Sequence, residues 1–231
     1  MLAEDVRYLM SNWELHYNET EPTFTGNFLL PWAMNLRGRS ILDVTSGQGI
    51  EARWLNDRGF HIVAQDYCMK LLDSGYHAER VCACAETLPY GDQSFHGVLT
   101  KDALIFLSPE QRVNLLSEAN RVLVRGGSLL IRTESLTNCM RVHYLDEAHG
   151  PVKEVFTDDG SRWRENVRKI AMEYGEVLWV EFPTTSESLE QLAAQRGFDY
   201  ELLSRFNHDD NLAKESRWIG YGGFIAKLGK K

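Results

Sequence analysis

The chain has no surplus of positive charge. Its 25 Lys and Arg face 33 Asp and Glu, a formal net charge of −8. That balance disfavours a bulk electrostatic grip on nucleic acid. A long apolar run is also missing, and the opening MLAEDVRYLM is acidic where a secretory signal is basic. Neither a membrane span nor an export signal is therefore expected. Cysteine is sparse. Cys68, Cys82, Cys84 and Cys139 form no C-x-x-C pair, so zinc would lack ligands and no metal is expected. Cys82 and Cys84 alternate with Ala83 and Ala85, share one face of an expected strand, and read as buried thiols. This usage fits a reducing cytoplasm. No internal repeat or low-complexity segment is present.

What is there suits a packed domain. An apolar fraction of 43% and an aromatic fraction of 11% exclude wholesale disorder. The 231 residues suffice for one core with an insertion. Residues 1–20 read as a helix with Trp13 and Tyr17 one turn apart. LLPWAMNL reads as a short helix. Strands are expected at SILDV, HIVAQD, RVCACAE, SFHGVLTKD and SLLIRTE. Helices are expected at IEARWLNDRG, YCMKLLDSGYHAE and SPEQRVNLLSEANRVL. The last has Ser108 as its cap, Pro109 at its first position and Gln111 in the capping-box position. VRGG is expected to break it.

This alternation predicts an α/β fold, an open and mostly parallel sheet with helices on both faces. The rhythm changes after Glu134. Residues 135–182 read as an inserted, partly helical cap, with a strand at EVLWVEFP. TSESLEQLAAQRG is a helix capped by Thr185 or Ser186. FDYELLSRF and WIGYGGFIAKL are antiparallel partners at the sheet edge.

Ligands of such sheets bind outside the carboxyl ends of the strands. DVTSGQG, residues 43–49, stands at the carboxyl end of the first clear strand. GQGIEA formally matches G-x-G-x-x-G/A, with Asp66 further along at the end of the second strand. A dinucleotide would place an anionic pyrophosphate over this turn, and Asp43 would repel it. A ligand with a cationic head and no phosphate would gain from the same carboxylate. Gly47 and Gly49 permit close backbone approach, while β-branched Thr45 is expected at negative φ with its hydroxyl bonded locally or to nearby water. Asp66 is placed to accept ribose hydroxyls or, alternatively, to cap the following turn.

ILDVTSGQG, VAQDYCMKLL, CAETLPYGDQSFHGVLTKDALIFLSPE and EANRVLVRGGSLLI together resemble the class I S-adenosylmethionine-dependent methyltransferases. The resemblance covers roughly residues 40–132. It implies a Rossmann-like, seven-stranded, mostly parallel sheet with a reversed last strand, and S-adenosyl-L-methionine as cofactor. It places Asp43, Gly47 and Gly49 on the first motif, with Thr45 where a glycine is usual. Asp66 falls on the ribose-binding acid, followed by Tyr67. Cys84, Ala85 and Glu86 fall beside adenine, with Cys84 where an acid is usual and the Ala85 amide as the expected contact. His96 stands where a structural aspartate is usual. The family's cofactor–acceptor channel corresponds here to Lys101 and Asp102. An N-terminal lid over residues 1–35 would bring Trp13 and Tyr17 to the cofactor, with Arg37 or Arg39 as a candidate lid cation.

Methyl transfer needs alignment, exclusion of water and an exit for any acceptor proton. His143 and His149 in the cap, and Asp102 on the core, are the candidate proton acceptors or polar anchors. The leading expectation is an O- or N-methyltransferase of a small-molecule acceptor, monomeric or homodimeric, without nucleic-acid or membrane partners. RNA or protein side-chain methylation is one alternative. An NPPY-type element typical of many planar-nitrogen methylases is absent, with TKDA in its place. A non-catalytic, cofactor-binding regulatory protein is another.

Overall fold

The computed structural model describes residues 28–72, 79–135, 140–146, 150–156, 162–174, 177–182, 184–207 and 222–231. In chain order the elements are α1 (Leu30–Met34), β1 (Ser40–Val44), α2 (Ile50–Asn56), β2 (His61–Asp66), α3 (Met69–Leu72), β3 (Glu79–Cys82) and β4 (Phe95–Lys101). A 3-10 turn (Leu104–Phe106), α4 (Pro109–Val122) and β5 (Leu123–Ser135) follow. The rest are β6 (Met140–Asp146), β7 (Gly150–Phe156), α5 (Trp163–Tyr174), β8 (Val177–Glu181), α6 (Ser186–Gln195), β9 (Phe198–Asn207) and β10 (Gly222–Lys230).

Seven strands form one sheet in the order β3-β2-β1-β4-β5-β10-β9. Strands β1 to β5 are parallel neighbours, and β10 runs antiparallel to both β5 and β9. The sheet is covered on both faces, which is why its central strands are apolar nearly throughout. Alternation along β1 divides the core. Leu42 and Val44 pack with Leu115, Leu116, Ala119 and Leu189 of α4 and α6. Ile41 packs on the opposite face with Ala52 and Leu55 of α2 and Trp32 of α1.

Local chemistry accounts for several boundaries. Ser108 caps α4 by accepting from the Gln111 N–H, and the Gln111 side chain accepts from the Ser108 N–H, a complete capping box. Thr185 caps α6 through the Ser188 N–H. Gly59, at φ +80, ends the turn after α2 in the left-handed region that glycine tolerates. His96 forms a 2.7 Å bond from its Nδ1 to the Ser40 hydroxyl. Its ring fills the space where a Cβ on Gly38 would lie, 2.3 Å from Nε2.

Three expectations need correction. VRGG does not separate helix from strand, because β5 begins at Leu123, immediately after α4. The pairing of β4 with β5 slips between Phe95 and Gly97, so the extra residues are absorbed as an irregularity. RVCACAE is strand only as far as Cys82. Cys82, on the edge strand β3, and Cys84, just after it, are exposed against the expectation, whereas Cys68 is buried. Cys139 lies outside the described residues. Finally, the region read as mixed and partly helical contains a second sheet, β7-β6-β8, with α5 against β6 and β8. Among the described residues no helix is long and apolar enough to cross a membrane.

Candidate active site

The tops of β2, β1 and β4 carry Asp66, Asp43 and Lys101. Register pairs Asp43 with Leu99, two residues before Lys101. Ile41, Leu99, Ile62 and Ala64 share the α2-facing core. The period of two along each strand therefore puts Asp43, Lys101 and Asp66 on that same face. Helix α2 adds a fourth charged group. Glu51 stands one turn before Leu55 on the helix's buried side and is itself only 5% exposed. Its Oε1 lies 2.9 Å from Lys101 Nζ.

Asp43 is 2% exposed and its Oδ2 has no hydrogen-bond partner among the described residues. Burial first, then the Glu51 carboxylate, raises its pKa well above the usual range, while Lys101 opposes the rise. Asp66 is also raised, mainly by burial. Backbone N–H groups offset part of that: Gly47 donates at 3.0 Å and Cys68 at 2.9 Å. Asp66 thus caps the turn after β2 and at the same time ties down the loop after β1.

The loop itself is held from below. The N–H groups of Thr45 and Ser46 both donate to the Gln65 carbonyl at 2.8 Å. Thr45 adopts φ +77, against the negative value expected for a β-branched residue. Its hydroxyl donates to its own neighbour, the Val44 carbonyl, and meets Thr100 Oγ1 at 3.0 Å. The hydroxyl was correctly expected to bond locally. The φ was not, because two backbone bonds to Gln65 fix a conformation that threonine alone would avoid, at a cost of about 1–2 kcal/mol. Gly47 and Gly49 are also left-handed, at φ +53 and +72. A Cβ on Gly47 would meet no atom of the described residues within 4 Å.

Other expected residues divide. Ala85 is buried and packs in the core under the loop, while Glu86 accepts a 2.8 Å bond from Gln111 at the start of α4. The Cys84 carbonyl accepts from Gln65 Nε2 at 3.3 Å, linking that segment to the end of β2. Tyr67 is half-buried, and its carbonyl accepts from Cys82 Sγ. Lys101 pairs with Glu51. Asp102, at φ +54, forms an ion pair with Arg132. His143 lies on β6, opposite Lys153 and Trp179. His149, Trp13 and Tyr17 lie outside the described residues.

Arg37 and Arg39 are not lid cations. They precede β1, at the sheet's amino end. There Arg39 stacks over Phe60 and bonds to the Gly59 carbonyl, and Arg37 lies against Gly126. Sequence reasoning missed Glu51, Gln65 and Thr100. Glu51 was findable, since its i,i+4 spacing from Leu55 puts it on the apolar side of α2.

The donor set suits a ligand with a cationic head. A buried carboxylate whose Oδ2 has no hydrogen-bond partner among the described residues, a second carboxylate at the end of β2, and space over Gly47 that no described residue fills would accept S-adenosylmethionine without conflict. The same carboxylates would oppose a pyrophosphate.

Comparison with known proteins agrees. Residues 42–131 match the family described as "Methyltransferase domain". A demethylmenaquinone methyltransferase of Renibacterium salmoninarum is 26% identical over 125 residues. That match covers 52% of this chain and 48% of the relative, so it spans about half the relative's length. The fold is shared with PH0226 protein of Pyrococcus horikoshii, with TM-score 0.58 and 16% identity over 88% of this chain and 87% of that one. It is shared too with phosphoethanolamine N-methyltransferase 2 of Haemonchus contortus in complex with S-adenosyl-L-methionine. There the TM-score is 0.58 at 15% identity, covering 97% of this chain and 57% of the other. Residues 42–131 thus form a methyltransferase domain, and the β3-β2-β1-β4-β5-β10-β9 sheet around them shares the fold of these solved structures.

Proposed function

We propose that this chain transfers a methyl group from S-adenosylmethionine to an oxygen or nitrogen atom of a small-molecule acceptor. The observation that carries the acceptor class is the docking of the second sheet. The Phe182 N–H, just after β8, donates to the Ile105 carbonyl at 2.5 Å. Ile105 belongs to the turn that follows β4, at the same end of the main sheet as Asp43 and Gly47. A β-sheet layer fixed beside that end suits an enclosed pocket better than an open track for a polymer. The net charge of −8 supports the same choice against RNA.

The cofactor supplies an electrophilic methyl group on a sulfonium. Asp43, Gly47, Gly49 and Thr45 would hold its amino-acid end, and Asp66 its ribose. Tyr67, Cys84, Ala85 and Glu86 would border adenine. Trp13 and Tyr17 would cover the site from a lid. Within the 1–35 segment, α1 is built into the core through Trp32, whose Nε1 donates to Ser128 Oγ at 2.8 Å. The cap, residues 135–182, would line the acceptor pocket. His143, His149 or Asp102 would take or orient the acceptor proton, with Arg132 fixing the Asp102 side chain. The protein would act in the cytoplasm as a monomer or homodimer.

The test is transfer from S-adenosylmethionine labelled in its methyl group to three acceptor pools: small amines and hydroxyl compounds, total RNA, and a protein extract. Label in the small-molecule fraction is expected. Label confined to RNA or protein would overturn the acceptor class. Tight cofactor binding with no label in any pool would mean a regulatory protein.

A further inference from the structure

Among the described residues the charged groups around the loop do not balance. Asp43, Asp66 and Glu51 supply three carboxylates to one face, and Lys101 is the lysine described beside them. Lys101 pairs with Glu51, whose side chain is 6% exposed, against 14% for Lys101 itself. Asp43 Oδ2, in a residue 98% removed from solvent by its 2% exposure, has no partner among the described residues. An ion pair at this depth is expensive to desolvate and is weak evidence of a purely stabilising role. An apolar residue at position 51 would pack beside Ala52 and Leu55 at no such cost. The sequence places a carboxylate there and sets a lysine against it.

We propose that the buried Glu51–Lys101 pair tunes the charge of this cluster so that it discriminates the positively charged methyl donor from its demethylated product. The proposal rests on the cofactor reading above. S-adenosylmethionine carries one positive charge more than S-adenosylhomocysteine, and the two share every other group. At low dielectric a charge difference is felt over several ångströms, so Glu51 and Lys101 need not touch the sulfur to register it. Glu51 and Lys101 are positioning residues here, and both act through the field at Asp43. Removing the Glu51 charge leaves Lys101 opposing a cation. Removing the Lys101 charge leaves three carboxylates to attract one.

The two substitutions therefore have opposite signatures. Calorimetry gives the dissociation constants of S-adenosylmethionine and S-adenosylhomocysteine for the parent, Glu51→Gln and Lys101→Met. In Glu51→Gln the donor is expected to weaken about tenfold more than the product, or roughly 1.4 kcal/mol. In Lys101→Met the ratio is expected to move the other way. Equal changes for both ligands would overturn the proposal and leave the cofactor reading intact. Failure of the parent to bind either compound would remove the cofactor reading itself. Should the variants not fold, the parent decides alone. Sinefungin, which carries a protonated amine in place of the sulfonium methyl, is expected to bind with the donor and more tightly than S-adenosylhomocysteine. Parity of sinefungin with S-adenosylhomocysteine would overturn the proposal.

Discussion

The Gly47 N–H donates to the Asp66 carboxylate across 3.0 Å, joining the loop after β1 to the end of β2. One carboxylate thus shapes the turn over which a ligand would lie and presents its remaining acceptor capacity to that ligand. The two roles are separable by mutation only in part, because the second Asp66 oxygen also accepts from Cys68.

Asp66→Ala is expected to weaken S-adenosylhomocysteine binding by about 1.5–3 kcal/mol, the range for a charge-assisted hydrogen bond. Since it also frees the backbone N–H groups of Gly47 and Cys68, a fall in Tm should accompany the loss. Asp66→Asn keeps one acceptor oxygen and should lose less on both counts. Calorimetry and thermal denaturation of the two variants check this. Unchanged affinity in a folded Asp66→Ala protein would remove Asp66 from the binding site.

Thr45 and Gly47 share positive φ but differ in what surrounds them. Thr45→Gly relieves strain of about 1–2 kcal/mol. It gives up the Thr100 contact and adds unfolded-chain entropy, each worth roughly 0.5–1.5 kcal/mol. Its stability should stay within about 1 kcal/mol of the parent, with cofactor affinity kept within about tenfold. Thr45→Val keeps the strain, loses the hydroxyl and should be the less stable of the two. The Cβ of Gly47→Val would meet no described residue within 4 Å, yet its side chain would enter the space over the loop where the ligand would lie. It should lose far more than tenfold in S-adenosylhomocysteine affinity. Parent-like binding by Gly47→Val would mean that the ligand does not pass this turn.

Thiol chemistry reports on the edge of the sheet. Cys82 and Cys84 are exposed and should react with a maleimide in the native state, whereas buried Cys68 should react only on unfolding. Mass mapping of the labelled peptides distinguishes the three. Native protection of Cys82 and Cys84 would place another element over β3.

The main sheet was legible because its central strands are buried on both faces and so read as unbroken apolar runs between turn signals. The α4 capping box was legible because Ser108, Pro109 and Gln111 act within one turn. What escaped depends on partners distant in sequence. The φ of Thr45 is set by Gln65 and supported by Thr100 on β4, and neither is visible from local preference. Cys82 and Cys84 alternate as a buried strand would, but β3 has only one neighbour among the described residues, and both thiols are exposed. The β6–β7 hairpin was missed because its residues mix charge with aromatic groups and carry no clean period of two. For the site, Asp43, Gly47, Gly49 and Asp66 were found through their places at strand ends. Glu51 was passed over because a glutamate early in a helix ordinarily reads as a surface acid.

Asp43 gives a pH dependence whose sign can be fixed in advance. Burial and the neighbouring Glu51 raise its pKa, so folding favours the protonated carboxyl. Its contribution to stability is complete below the unfolded value, about 3.9, and is lost as pH rises through the higher folded value. Asp66 is raised too and acts in the same direction. Glu118 is lowered, so its contribution disappears only as pH falls toward the acid range and does not oppose the trend above pH ~5. The ligand-free protein should therefore lose Tm as pH rises above the unfolded value of about 3.9 and through the higher folded value. Asp43→Asn removes the charge and should flatten that slope. It should raise Tm at the upper end, by roughly 2–4 °C for each kcal/mol gained in a chain of this size. The same variant should bind S-adenosylmethionine less well, because the carboxylate that destabilises the free protein is the group a cationic head would neutralise. In the parent, the Tm increment from saturating S-adenosylmethionine should accordingly grow with pH. Denaturation scans with and without ligand across that range measure all three effects. A flat profile for the ligand-free parent, or an Asp43→Asn protein that is no more stable than the parent at pH ~8, would show that Asp43 is already balanced by Lys101.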